Sequence, residues 1–195
     1  MEQRVIQRFH ESIETIMNAG EGFAPLLADA SHAMVQALLS ERKILTCGVG
    51  LAAANAQTLA SCLVNRFEQE RPSLPALCLA NDALNLSAVA TDSGLNDIFA
   101  KPIRGLGQAG DLLVVFATGG NTSATVQAIS AARDKEMSIV AFTNEQCGDL
   151  ASMLASQDFE LKVPTLSAPH AHEVHLLSVF CLCDLIDQQL FGGFA

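Results

Sequence analysis

The chain contains no tryptophan and no tyrosine, so two of the side chains best suited to stack on nucleic-acid bases are missing. Basic residues are also scarce. Eleven Lys and Arg stand against 21 Asp and Glu, a formal charge of −10, and no Lys/Arg cluster interrupts it. An acidic chain without a basic patch repels phosphate backbones, so direct binding of nucleic acid is not expected. No apolar run reaches the ~18 residues that span a bilayer, so no membrane contact is expected either. The opening segment, Met1-Glu2-Gln3-Arg4, is amphipathic and leads to Glu11 and Glu14, where an export signal would need an uncharged apolar stretch. The 6 cysteines, Cys47, Cys62, Cys78, Cys147, Cys181 and Cys183, include no Cys-x-x-Cys pair, and Cys181-x-Cys183 is a poor metal spacing on a helix. They read as buried, reduced thiols, and the expected location is cytoplasmic. No Gly-x-Ser-x-Gly elbow, His-Glu-x-x-His pair or Walker A loop is present.

What the chain does have is apolar surface. Half of its 195 residues are hydrophobic. One domain of this size leaves much of its surface in water, so the excess predicts an interface between subunits. Apolar residues recur at helical spacing from Val5 to Met17 and again from Phe23 to Leu39, with Gly20 and Gly22 between them, which predicts a helical hairpin over 1–40. Short segments at 43–47, 75–79, 112–116, 138–142 and 159–163 read as strands, the last closed by Pro164. The segments 52–67, 82–90, 97–106, 122–135 and 173–190 read as helices, and Pro102 kinks the third or sits in its first turn. Strands separated by helices imply a parallel sheet covered on both faces. The expected fold class is α/β: a three-layer αβα sandwich with a five-stranded parallel sheet, occupying 41–195, with the hairpin as part of the same domain.

Ligands of such sheets bind at the carboxyl ends of the strands. Two strand ends carry glycine-rich turns that open helices: Cys47-Gly48-Val49-Gly50-Leu51-Ala52-Ala53 and Ala117-Thr118-Gly119-Gly120-Asn121-Thr122-Ser123. Glycines allow close backbone approach, and free N–H groups at a helix start attract anions. The candidate phosphate-binding residues are therefore Gly48, Gly50, Thr118, Gly119, Gly120, Asn121, Thr122 and Ser123. The same second loop also reads as a tight turn with Thr122 or Ser123 as helix cap. Gly48, Gly50 and Ala53 match the dinucleotide pattern, but it needs an acidic residue near the end of the second strand, ~20 positions on, and the nearest at that strand end is Asp82, much farther along, so no nicotinamide cofactor is expected. His172 and His175 lie one turn apart, a spacing compatible with sharing a metal, and His170 is close by; no third ligand is placed near them, and no metal or other cofactor is assigned. Asp92 and Asp97 are candidates for ligand contact or for helix caps.

Several segments together resemble a known family. They are Cys47-Gly48-x-Gly50, Asn65-Arg66-Phe67-Glu68-x-Glu70-Arg71-Pro72-Ser73-Leu74-Pro75-Ala76, Gly107-Gln108-Ala109-Gly110-Asp111, Thr118-x-Gly120-Asn121, and Glu173-x-His175 with Cys181-Leu182-Cys183-Asp184-Leu185-Ile186-Asp187. They are similar to the phosphosugar-binding (SIS) domains of phosphoheptose isomerases, and most of all to that family's non-isomerase branch, the DnaA initiator-associating proteins of the DiaA type. The resemblance implies a homotetramer. The isomerases convert sedoheptulose 7-phosphate using a His and a Glu on the helix after the first loop and a Gln and a His on the last helix. At those positions this sequence has Thr58, Cys62, His172 and Phe180. Val49 and Ala52 replace the Asn and Ser of the first loop, and Ala117, Gly119 and Thr122 replace three serines of the second.

The resemblance thus implies a protein with no catalytic residues, in which Cys62, expected to be a neutral thiol of raised pKa in an apolar helix, is a poor base. The implied function is binding of the initiator DnaA and promotion of its assembly at the chromosomal origin, with Leu190 and Phe191 as partner contacts. The alternative reading of those two residues is a closure of the last helix against the core. The alternative is a protein that binds a sugar phosphate, or a residual isomerase.

Overall fold

The computed structural model describes residues 1–192. Strand β3, Leu112–Phe116, is buried along its whole length. Its side chains alternate in direction, so Leu112, Val114 and Phe116 feed one core while Leu113 and Val115 feed a second on the opposite face. Around it β1 (Ile44–Gly48), β2 (Ala76–Cys78), β4 (Ser138–Asn144) and β5 (Phe159–Val163) complete a five-stranded sheet in the order β2-β1-β3-β4-β5. Every pairing is parallel. Helices α1 (Glu2–Leu39), α2 (Ala52–Val64) and α7 (Ala168–Phe191) supply the first core, and α4 (Ala100–Leu106), α5 (Ser123–Asp134) and α6 (Gly148–Ala151) supply the second. Helix α3 (Ala83–Asp92) follows β2, capped by the Asp82 carboxylate, which accepts from the Asn85 N–H at 2.9 Å. The three-layer sandwich read from the sequence is the fold.

The N-terminal hairpin is not. Residues Glu2–Leu39 form one helix of 38 residues that runs through Gly20, Gly22 and Pro25. Each glycine costs a helix about 1 kcal/mol relative to alanine, but Ala19, Phe23, Leu27, Ala30, Met34 and Val35 bury one continuous face across the predicted break. Burial at roughly 1.5–3 kcal/mol per large apolar side chain outweighs the local preference. The segment 97–106 also divides, into a 3-10 turn at Leu95–Asp97 and α4, with Pro102 in the first turn of α4. Helix α7 begins earlier than its apolar pattern, at Ala168, because the Ser167 hydroxyl caps it and Pro169 fits its first turn. By length and composition α7 is apolar enough to cross a membrane. Here it packs against α1, α2 and β4 as a core helix of the domain.

Two of the motifs that carried the resemblance prove to be structural. Asp111, fully buried, accepts from the Lys43 N–H at 3.0 Å, the Lys43 Nζ at 2.6 Å and the Gln108 N–H at 2.8 Å, tying the starts of β1 and β3 together. Arg71 donates to the Leu63 and Cys62 carbonyls, each at 2.7 Å, and to Asp187 at 3.0 Å, so it closes the end of α2 and anchors it to α7.

Gly22 is exposed, helical, and has nothing near the place a Cβ would occupy. Gly22→Ala is therefore expected to raise the unfolding free energy by about 0.5–1 kcal/mol, seen as a higher urea midpoint at unchanged slope. No gain would mean that the helix is interrupted there in solution.

Candidate functional site

The strand order reverses between β1 and β3, so the crevice beyond their carboxyl ends is where an open parallel sheet binds ligands. Gly48 pairs in register with Phe116, which brings the two glycine turns together at that crevice. In the first turn, a Cβ on Gly48 would lie 2.8 Å from the Ala52 carbonyl, so only glycine lets α2 start so close to the strand. Gly50 has φ +60°, and Val49 and Leu51 face solvent with no polar atom to offer a ligand. The second turn has Gly119 at φ +98° and Gly120 at φ +76°, a conformation that side chains other than glycine resist. A Cβ on Gly119 would run into the Gln146 side chain. Asn121 Oδ1 accepts from the Ser123 N–H at 2.9 Å, so Asn121 rather than Thr122 or Ser123 supplies the side-chain oxygen at this helix start. Among the described residues, the N–H groups of Gly119, Gly120, Asn121 and Thr122 donate to no backbone acceptor. The residues expected at the phosphate loop thus lie side by side.

The helix positions behave differently. Thr58 donates its hydroxyl to the Ala54 carbonyl at 2.8 Å. Phe180 stacks on Phe67 with ring centroids 5.9 Å apart. Cys62 is half-buried, and its thiol is not raised as expected: it is pulled down to about 7 by a hydrogen bond with Cys183, with help from the nearby Arg71 guanidinium. Cys62 and the exposed Cys181 also depart from the expectation of buried cysteines; the other four are buried.

His175 is buried under the stacked Phe116 and Phe142 rings, and its Nε2 donates to the Thr143 carbonyl at 3.1 Å. Burial pushes its pKa down to about 4, so the ring is neutral. His172 is lowered too, chiefly by burial. The Nδ1 atoms of both rings and the Oδ1 of Asn55 are buried without a partner. Among the described residues no three His, Cys, Asp or Glu side chains converge as metal ligands. A committed Thr58 hydroxyl and a stacked phenyl ring do not fit the metal that the isomerase pattern implies. Asp97 faces Arg104 at 3.7 Å, and Asp92 is exposed in the last turn of α3.

Two positions went unnoticed in the sequence. Asn55 donates to the His172 carbonyl at 3.2 Å, joining α2 to α7, and Asn144 donates to the Thr118 carbonyl at 3.2 Å, bracing the second turn. Their signal was a lone amide within an alanine-rich helix face and another at the carboxyl end of a strand.

Comparison with known proteins decides the family. A family model described as SIS domain matches residues 8–144. The chain belongs to the SIS domain family. Among SIS relatives, the phosphoheptose isomerase of Chromohalobacter salexigens is 50% identical over 192 residues, covering 98% of each chain. The DnaA initiator-associating protein DiaA of Escherichia coli O1:K1 / APEC is 44% identical over 191 residues, 98% of this chain and 97% of its own. The solved SIS structure of a phosphoheptose isomerase from Francisella tularensis superposes with a TM-score of 0.92 at 38% identity, covering 95% of this chain and 97% of that one.

The two helices that frame this SIS fold on the far side of the first core carry the remaining candidates. Leu190 and Phe191 occupy the last turn of α7, half-buried against that core, so each keeps part of its surface free. Val5, Ile6, Phe9, Ile13 and Met17 form an exposed stripe along α1, with Phe9 66% and Met17 70% exposed. The stripe continues into an apolar groove of about 400 Å³ between α1 and α7, lined by Ile16, Phe23, Leu27, Leu177, Cys181 and Leu185.

Proposed function

We propose that this SIS protein is a non-catalytic homotetramer that binds the replication initiator DnaA and promotes its assembly at the chromosomal origin. The observation that carries this reading is the state of the helix positions: Phe180 is packed on Phe67 and Thr58 is bonded to its own helix, and with Cys62 these occupy the positions where the family resemblance puts an isomerase's ligands and proton carrier. Relatives named for association with the DnaA initiator, at 44% identity over nearly the whole chain, support the partner. The exposed stripe of α1 and the α1–α7 groove support self-association, since contiguous apolar surface on this scale marks an interface. A symmetric assembly presents Leu190 and Phe191 several times, which raises avidity without a tight single contact. The absence of basic clusters and the cytoplasmic reading agree with a partner that is protein rather than DNA.

The test is a pull-down with purified DnaA beside light scattering. Leu190→Ala and Phe191→Ala are expected to weaken capture by about 1–3 kcal/mol each while the tetramer mass and melting temperature stay nearly unchanged. A monomer at micromolar concentration would end the assembly reading. A loss of about 2–5 kcal/mol of stability in these variants would instead make both residues core.

A second reading, binding of a sugar phosphate, is favoured by the unpaired N–H groups of Gly119, Gly120, Asn121 and Thr122 at the start of α5. Thermal shifts with sugar phosphates separate it from the first, and Val49, Leu51 and Ala52 offer sugar hydroxyls no partner in the opposite turn.

A further inference from the structure

Helix α7 carries a surface that the anion turns do not use. Phe180, Asp184 and Phe191 follow one another at intervals of four and seven residues, so they share one face of the helix. Phe180 and Asp184 are exposed, and Phe191 is half-buried. The turn after α2 lies alongside. Its Phe67 stacks on Phe180, with ring centroids 5.9 Å apart and planes 22° apart. Between that turn and α7 is a hollow of about 120 Å³, lined by Phe67, Glu68, Asp184, Gln188 and Gly192. It runs from the aromatic pair to the end of α7, where Leu190 and Phe191 sit.

The free charges around this hollow are of one sign. Asp187 also borders it, but its carboxylate is bonded to the buried Arg71. Arg66 reaches the Glu68 carbonyl and pairs with Glu70. Among the described residues no Lys, Arg or His pairs with the carboxylate of Glu68 or of Asp184, and Asp184 accepts from the Gln188 Nε2 at 3.4 Å. Two unpaired carboxylates beside an aromatic pair, on a chain of charge −10, fit a cation. A guanidinium fits better than an ammonium, because it is planar and weakly hydrated, stacks on aromatic rings and binds carboxylates through paired N–H groups. We propose that the hollow seats an arginine side chain of the protein partner, with Leu190 and Phe191 holding the apolar residues beside it. The assignment rests on the reading of this chain as a protein-binding one, and it adds the chemistry of the segment bound: a basic residue flanked by apolar ones. The apolar anchors supply contact energy, while the carboxylates steer the encounter and fix the register.

In the full-length protein, Glu68→Gln combined with Asp184→Asn is expected to weaken capture of purified DnaA about tenfold. The melting temperature and assembly mass should not change, because both side chains are exposed. Glu70→Gln removes an equal charge outside the hollow and should leave capture as it is. Capture by the unmutated protein should fall as NaCl rises from about 50 to about 500 mM, and the double variant should lose most of that dependence. A change of packing alone would not move it. A dye-labelled peptide, Gly-Leu-Arg-Phe-Gly, reads the hollow without DnaA. By fluorescence anisotropy it should bind the unmutated protein about tenfold better than the same peptide with citrulline, which has the shape of arginine without its charge, and the double variant should erase the difference. If the unmutated protein captures no DnaA yet keeps this peptide preference, the DnaA reading falls and the arginine site stands. DnaA capture unchanged in the double variant overturns the site, as does equal or absent binding of the arginine and citrulline peptides.

Discussion

With sedoheptulose 7-phosphate as substrate, with or without added zinc, the protein is expected to turn over at least about 10²–10⁴-fold more slowly than a phosphoheptose isomerase assayed beside it. An aldose–ketose shift needs a base to take a proton and a second group to stabilise the oxyanion that forms. Cys62, with its thiol near 7, is not disqualified as a base by its acidity. Phe180 can neither donate nor coordinate and is held on Phe67. The Thr58 hydroxyl is spent on the Ala54 carbonyl. Positioned acid–base groups each contribute roughly 10²–10⁴-fold, so even a competent Cys62 leaves at least one such factor missing. A turnover number within tenfold of the isomerase would show that other groups perform the chemistry, and the non-catalytic reading would fall.

Arg71→Ala is expected to cost about 3–5 kcal/mol of unfolding free energy, because removing one member of a buried pair strands the other. Asp187 would keep a mostly buried carboxylate without its cation, and the Leu63 and Cys62 carbonyls that close α2 would lose their donor. Urea denaturation measures this directly, at unchanged slope if unfolding stays two-state. Arg71→Lys should recover only part of the loss, since one ammonium cannot reproduce the fork that reaches three carbonyls and a carboxylate at once. A loss under about 1 kcal/mol would mean that water replaces the guanidinium and that the pair is in effect a surface one.

Much of this was legible along the chain. Strand β3 ends where its apolar run ends, at Leu112–Phe116, because a strand buried on both faces has no polar position to blur its limits; β5, Phe159–Val163, alternates instead, with Glu160 and Lys162 between its apolar residues, and is closed by Pro164. The glycine turns announced both the crevice and its backbone conformation, since Gly48, Gly119 and Gly120 occupy geometries that other residues resist. The hairpin expectation failed at Gly20 and Gly22 because a glycine reports local preference, whereas the fate of α1 is set by the face it buries against α7.

The sequence by itself determined the layered α/β fold and the two glycine-rich turns at strand ends, which depend on residue type and short-range spacing. The strand order, which puts both turns at one crevice, was decided only in three dimensions. So were the chemical states of the side chains. Arg71 meets Asp187 across 116 positions of chain, and Cys62 is lowered rather than raised because Cys183, on another helix, donates to it. The acidity of a thiol and the worth of an ion pair come from the charges and donors that folding places within a few ångströms, and spacing along the chain carries no record of them.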